Sequence, residues 1–560
     1  MKRMLLSLLS ASLLLPVIGV SQPSGAITGQ VTDGVLPIVG ARVMILADTV
    51  WTTTDSEGRF TLPTRRYNGG PVPVMVGKKG WFNSGWEIRK GERDVELTLN
   101  PVPNRDNEGY RWIDPEPTGG GMMGGANNGA CGNCHADYYD RWSQSTMANT
   151  TTNPWVLDQY ETAGEDRGLC ADCHAPAAAV HNPGKTDLMQ VANRGGVEAK
   201  GVSCDVCHKT SDMAVNIATG VQSMQFTRMT GPSIRMGMMG MNAVVAYGPL
   251  ADVVTDPMAA SFNPDLSTSE FCSSCHLDGR KLSNGKTWDY QSVYPEAKPE
   301  EFQNGTVVPN QWTYYEWKNW QDGLEENAPN KGQTCQDCHM NWTEEMLPYD
   351  EFIVEGRGHM MPRMMQDLGI RRDPSTLHPH TFEGATTERL QNSAYVYLRP
   401  TLQENRLSIV ITLSNTNTGH RLPTGVTFRN MLLIVRAVDS TGAAVALNEG
   451  PTIPQWGGSG SPENGNYAGL PGVGYARITA DNHGNINVPF WEATKIVSDN
   501  RLRPREQDAN TFVFDVSEAT GYVEVSATLL YRKAFKPMAE RYGWDTGDVV
   551  MEEKSEVIYR

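Results

Sequence analysis

Five times in this chain two cysteines stand three positions apart with a histidine directly behind the second: CGNCH from Cys131, CADCH from Cys170, CDVCH from Cys204, CSSCH from Cys272 and CQDCH from Cys335. All 10 cysteines fall in these motifs. Random placement of 10 Cys and 11 His would give about 0.004 of them. One chemistry uses every residue. Cys131 and Cys134, Cys170 and Cys173, Cys204 and Cys207, Cys272 and Cys275, and Cys335 and Cys338 can each present two sulfurs to the two vinyl groups of one haem as thioethers. His135, His174, His208, His276 and His339 then follow as proximal iron ligands. A zinc ribbon would pair its CxxC units roughly 15 to 20 residues apart and has no use for a histidine behind every pair. A thioredoxin-like pair would occur once, and five disulfides would not need the histidines. Five covalently bound haem c groups are the expectation.

A haem iron with one histidine keeps a second axial position, and what fills it decides between carrying electrons and acting on a substrate. Outside the motifs stand His181, His359, His378, His380, His420 and His483. His378 and His380 flank a proline, so they point in different directions; they are not expected to share one iron, and at least one is expected to ligate. His181 follows the second motif in a small-residue stretch able to fold back over a haem. His359 lies in GRGHMMPRMM and is a further candidate. His483, in the polar loop DNHGN, is expected to face solvent. Met147 lies near the end of the stretch ADYYDRWSQSTMA behind the first motif. That stretch reads as about three helical turns, roughly 18 Å long, so Met147, if it ligates, is expected to serve another motif. Met258 in TDPMAAS is the rival thioether. The chain holds 25 methionines; the clusters GGGMMGG, IRMGMMGMN and HMMPRMM read as packing against apolar haem faces, with Cu(I) binding as the alternative.

The elements that must position these groups follow from bulk properties and pattern. A chain of 560 residues, 39% hydrophobic and 20% charged, is too long for one core and has the profile of three or four soluble globular domains. The 55 glycines and 34 prolines point to loop-rich structure. A formal charge of −16 argues against a nucleic acid partner and for a basic or neutral partner surface. At the N-terminus Lys2 and Arg3 precede an apolar run, with Gly19, Ser21 and Ala26 beyond it. Residues 1–21 therefore read as a cleaved signal peptide, and an uncleaved anchor is the alternative. No cysteine offers a lipid attachment point there, and no second apolar run is long enough to span a membrane. The expected location is periplasmic or extracellular.

The fold class read from the pattern is multidomain: an N-terminal β-sandwich, a loop-rich and mainly helical multihaem domain, and a C-terminal β-sandwich. Residues 26–100 alternate apolar runs with turn signals, and DSEG beside Phe60 reads as a hairpin. The runs GQVTDGVLPIVGARV and TTTDSEGRF resemble the carboxypeptidase regulatory-like (transthyretin-like) module, which implies a docking or spacer domain. A Pro/Gly-rich linker occupies 101–130. The haem domain is 131–385, with little periodicity because haems would replace side chains as core. Residues 386–560 return to β-rich runs such as RLSIVITLSNT and GYVEVSATLLYR.

CGNCHADYYDRWSQS, GVSCDVCH, YGPL before SEFCSSCH, EWKNW before CQDCHM, HPHTFEGA and NTGHRLPTG, in that order, resemble multihaem cytochromes related to the tetrahaem cytochrome of ammonia oxidisers and to hydroxylamine oxidoreductase. The resemblance runs over about 127–535 and implies an exported carrier with closely stacked, mostly bis-histidine haems. It also implies a ligand at His420, and its members often carry histidine where Met147 and Met258 stand. Three functions compete. The first passes electrons between redox partner proteins. The second is an oxidoreductase with one open haem for a nitrogen or sulfur oxyanion. The third is a homo-oligomeric or surface assembly held by the β-domains. The first is the expectation; no CxxCK variant marks an odd haem, so enzyme activity is left open.

Overall fold

A computed structural model describes residues 25–64, 70–118, 130–133, 135–215, 222–236, 239–254, 258–281, 307–341, 372–373 and 376–559. The signal-like segment, Cys134, His359 and the side chains of the three Met-rich clusters lie outside the described residues.

The N-terminal region forms two sheets. In one, β1 (Ile27–Thr32) lies between β4 (Arg59–Leu62), antiparallel, and β7 (Val95–Thr98), parallel. In the other the order is β3 (Trp51–Thr53), β2 (Arg42–Ile45), β5 (Val72–Gly77), β6 (Ser84–Ile88). Residues of both enter one buried cluster, among them Ile27, Val31, Leu97, Val43, Val74 and Val76. Strand β5 is buried at all six positions rather than at alternate ones. Its outer face is covered too: Met44 and Met75 pack with Ala251 and Phe262 of the middle region. Polar ties reinforce this seam. Asn83 donates to the carbonyls of Leu250 (3.0 Å) and Val253 (3.2 Å), and Lys79 meets Asp212 (2.6 Å) and Asp265 (2.5 Å).

The segment expected as a linker is wound onto the middle region over its described part. Asp106 grips Arg228 (2.6 Å), the Tyr110 hydroxyl donates to Asp205 (2.9 Å), and Trp112 donates its indole N–H to the Ala177 carbonyl (2.9 Å). Its aromatic and acidic residues fasten this stretch.

The middle region is short helices and loops, with strands that the periodicity did not reveal. These are the hairpin β8 (Thr210–Val215) with β9 (Gln222–Phe226), the sheet β10 (Thr230–Met236), β11 (Met239–Gly248), β12 (Met258–Phe262), and the pair β13 (Asp278–Lys281) with β14 (Val307–Gln311). Two of them, β11 and β14, hold motif histidines.

At the C-terminus, β15 (Ala394–Gln403), β16 (Arg406–Asn415), β21 (Gln507–Asp515) and β18 (Leu447–Glu449) form one sheet in that order. The other runs β20 (Lys495–Asp499), β19 (Gly472–Ala480), β17 (Asn430–Asp439), β22 (Tyr522–Arg532), β23 (Val549–Tyr559). Leu407, Ile409, Ile411 and Leu413 alternate inward from β16 to meet Val523, Val525 and Leu529 of β22 in one core. Strand β17 is buried on nearly every residue because its outer face packs under Phe428, Trp456 and Trp544. Trp544 stacks on Trp155 of the middle region, centres 4.5 Å apart, and donates to Asp158 (2.7 Å). Among the described residues no helix is long and apolar enough to cross a membrane.

Candidate haem-binding centre

Four motifs fold within helices, Cys170–His174, Cys204–His208, Ser269–His276 and Cys335–His339, while in the first Cys131–Asn133 is a 3-10 turn ahead of the helix Ala136–Gln144. In those four, helical spacing sets the two cysteines on one face with the histidine beside them, so local geometry prepares the attachment point. The fifth motif is also capped: Thr334 and Asp337 form a reciprocal capping box at its start.

None of the nine described cysteines is in a disulfide. Their thiols meet across motifs instead. Cys131 lies beside Cys204, Cys173 beside Cys275, and Cys272 beside Cys335. Cys207 lies near enough to Cys204 and Cys275 to feel both, and burial pushes its thiol up to about 12. The motifs therefore form a connected set, with the fourth beside the second and fifth and near the third.

The histidines supply the test of fit for iron. His208 and His380 face each other with ring centres 6.2 Å apart and planes 15° apart, and His339 and His420 do so at 6.3 Å and 13°. Two metal–nitrogen bonds of about 2 Å plus the half-widths of two imidazoles span about 6 Å, so one iron fits between each pair. The other nitrogen of each ring is already engaged. Nδ1 of His208 points to the Tyr247 carbonyl (2.7 Å), that of His339 to Glu383 (2.5 Å), that of His380 to His378 (3.0 Å) and that of His420 to Arg421 (2.9 Å). A carbonyl at Nδ1 fixes the tautomer that leaves Nε2 free for a metal. Burial lowers His339 to about 4 and His380 to about 3, so both rings are neutral at pH 7, as a ligand must be. Among the described residues no three His, Cys, Asp or Glu side chains converge as a zinc site would require.

The other proximal histidines differ. Nδ1 of His276 meets an amide, Gln311 Nε2 as placed, at 2.6 Å; with the amide turned its oxygen would accept. Nδ1 of His174 is buried without a partner, and burial lowers that ring to about 4. His135 packs at 6.5 Å from Tyr138, which itself lies edge-on to His380 at 4.6 Å.

Of the remaining candidates, His378 is half-buried with Nε2 4.0 Å from Asp337. His181 is exposed, with Nε2 3.5 Å from Arg228, and pairs with no motif imidazole. His483 is exposed. The helix behind the first motif stops at Gln144, short of Met147, because the Ser145 backbone turns extended and its hydroxyl donates to the Trp142 carbonyl (2.6 Å). The half-buried Met147 then accepts from Val202 N–H (3.0 Å), and Trp142 donates to the Val202 carbonyl (2.8 Å). Gly201, at φ +59 with no room for a Cβ beside the Met147 carbonyl, makes this approach to the third motif feasible. Met258 opens β12, paired with Val244 and half-buried.

Sequence reasoning did not find Gln311, Tyr138 or the acid beneath the His420 loop, Glu316. The motifs EWKNW and NTGHRLPTG, separate in the chain, meet in space. A Cβ on Gly419 would fall 2.6 Å from the Trp320 ring, and Thr313 and Thr424 share a hydrogen bond (2.9 Å).

Residues 130–209, holding the first three motifs, match the family described as Cytochrome c554 and c-prime. The fold is similar to that of a penta-heme cytochrome c552 from Thermochromatium tepidum, at TM-score 0.51 and 18% identity, covering 76% of this chain and 97% of that one. A second structure, Northeast Structural Genomics Consortium target SoR45, aligns at TM-score 0.13 and 10% identity over 29% of this chain and 85% of that one, too far to carry an argument. No curated protein matches the chain. The motifs, the imidazole pairs and the family match over residues 130–209 support a multihaem c-type cytochrome with covalently bound haem c.

Proposed function

We propose that the chain is an exported pentahaem cytochrome, one haem c per motif, that passes electrons between redox partner proteins in the periplasm or at the cell surface. Bound haem c supplies one-electron iron chemistry. The observation that carries the reading is the contact between motifs. First lies beside third, third near fourth, and fourth beside second and fifth, so the attachment points give electrons one branched path. Its end at the fifth motif reaches the surface, where Cys338 is exposed. His208 with His380 and His339 with His420 are the axial pairs of the third and fifth irons. Met147 and Met258 stay candidates for the others. The sheet pairs at either end act as sandwiches clamped onto this path.

A second reading, an oxidoreductase, has one observation in its favour. Beside the second motif, whose His174 faces no imidazole among the described residues, lies an open cavity of 580 Å³ lined by Tyr160, Arg167, Lys185 and Thr186. Its two cations, set against the one carboxylate of Asp187 in the same lining, leave a net positive charge that would suit an oxyanion. One preparation separates the readings. As a carrier, the matured protein holds five haems that acid acetone does not extract, all low-spin and indifferent to carbon monoxide after dithionite reduction. Fewer than five covalent haems, or stoichiometric zinc, would sink the assignment. One high-spin iron that binds carbon monoxide would move it to the oxidoreductase.

A further inference from the structure

The loop carrying His420 rests on a buried carboxylate. Glu316, on the helix Thr313–Asp322, has a side chain 1% exposed. Its Oε2 accepts from the Arg421 backbone N–H (3.2 Å) and the Thr424 hydroxyl (2.7 Å), gripping the loop on both sides of Leu422 and Pro423. Its Oε1 meets Arg501 (2.8 Å) and Arg477 (3.3 Å), both nearly inaccessible. Arg501 also donates to the Pro423 carbonyl (3.2 Å), and the two arginines share Asp499 at 2.8 and 3.2 Å. With the half-buried Arg421, which donates to the Arg501 carbonyl (3.2 Å) and lies near both acids, three cations face two anions beside a proposed iron ligand. Burial by itself would raise the Glu316 carboxyl, but Arg501 and Arg477 hold it below its ordinary value, so it is charged at neutral pH.

We propose that Glu316 is a positioning residue for the His339–His420 iron site: it fixes the His420 loop, and its buried charge holds down the reduction potential of that one site. The inference rests on His420 being an axial ligand. Reduction adds an electron, so a fixed anion nearby favours the oxidised state, and at buried positions salt screens little of that effect. Removing the carboxylate and leaving the arginines uncovers a positive charge that favours reduction. Glutamine keeps the size and an acceptor for Thr424 but not the charge, which separates electrostatics from shape.

The test is redox potentiometry with carbon monoxide binding on the full holoprotein, comparing Glu316→Gln, Thr424→Val and His420→Ala. Glu316→Gln is expected to keep the full haem complement and to move a single potential upward, that of the haem which His420→Ala opens to carbon monoxide. Thr424→Val keeps the charge, so its potentials should stay at parent values while a fraction of that same haem binds carbon monoxide. If Glu316→Gln shifts no potential although His420→Ala opens an iron, the proposal is overturned and the ligand reading stands. If His420→Ala opens no iron, both fall. Should Glu316→Gln fail to assemble, Thr424→Val decides alone, and the absence of carbon monoxide binding to it overturns the proposal.

Discussion

The imidazole pairs of the third and fifth motifs have almost the same span, 6.2 and 6.3 Å, on unlike supports. His380 sits in a short HPH segment whose Nδ1 acceptor is the carbonyl of His378 two residues back, and its walls are the rings of Tyr138 and Phe382. His420 hangs from the C-terminal sheets. Its loop is tied by Asn415 (3.1 Å) and by mutual backbone bonds between Leu422 and Leu502 (2.8 and 3.0 Å), with the Glu316, Arg477 and Arg501 cluster underneath. One site is held by packing and local hydrogen bonds, the other by a β-domain and a buried ionic cluster. The same ligand geometry can therefore be reached by local or by long-range means, and the two should fail differently.

The largest expected effect comes from removing the ligands. His380→Ala and His420→Ala should each convert one iron from low-spin to high-spin and open it to carbon monoxide, and the double variant should open two. Absorbance and electron paramagnetic resonance of each variant would read this. If either single variant kept the parent spectrum, its ring would be packing rather than ligating, and the comparison would lose one side.

Next in size is the ionic cluster. Arg501→Ala strands Glu316 and Asp499 without a main partner, and breaking a buried pair costs about 3 to 5 kcal/mol. The denaturant midpoint of the C-terminal sheets should fall accordingly, followed by tryptophan fluorescence. The control is Arg406→Ala, which loses only the pair with Glu449 (2.9 Å), both side chains more than half exposed; such pairs contribute about 0 to 1 kcal/mol. Equal losses in the two variants would show that the cluster does not brace the domain. The His380 site should keep its low-spin signal in Arg501→Ala, because nothing in its support reaches that cluster.

How much of this was legible follows from the range of each interaction. The five CxxCH motifs were readable because each is complete within one short stretch of chain. His420 and the HPH pair could be named, but not which motif histidine each faces, since His380 meets His208 and His420 meets His339 only after the whole middle region has folded. Glu316, Arg477 and Arg501 could not be found at all, because single charges far apart in the chain carry no pattern until burial brings them together. Tyr110, Trp112 and Asp106 were hidden by their neighbours: Pro and Gly made 101–130 read as a linker, whereas these three side chains hold its described part on the core. Strands β11 and β14 escaped notice for a related reason. Their service is to offer the Tyr247 carbonyl and the Gln311 amide to motif histidines, a role that leaves no periodicity.

The smallest expected effect falls on the packed side of the comparison. Tyr138, in the helix behind the first motif, meets the His380 ring edge-on at 4.6 Å and an interplanar angle of 80°. It also lies 6.5 Å from His135, so one phenol ring touches the proximal residue of the first motif and the distal residue of the third. An edge-to-face pair adds about 0.5 to 1.5 kcal/mol beyond area burial. Tyr138→Leu keeps an apolar side chain and removes the ring contact, so His380 should still ligate in water. Its hold should weaken by that amount, and the low-spin signal of the third site should be lost at a lower denaturant concentration than in the parent. The fifth site, which Tyr138 does not touch, should keep its midpoint. A shift of both sites together would mean that Tyr138 acts on the fold as a whole; a shift of neither would mean that His380 is held by the His378 carbonyl and the Phe382 ring alone.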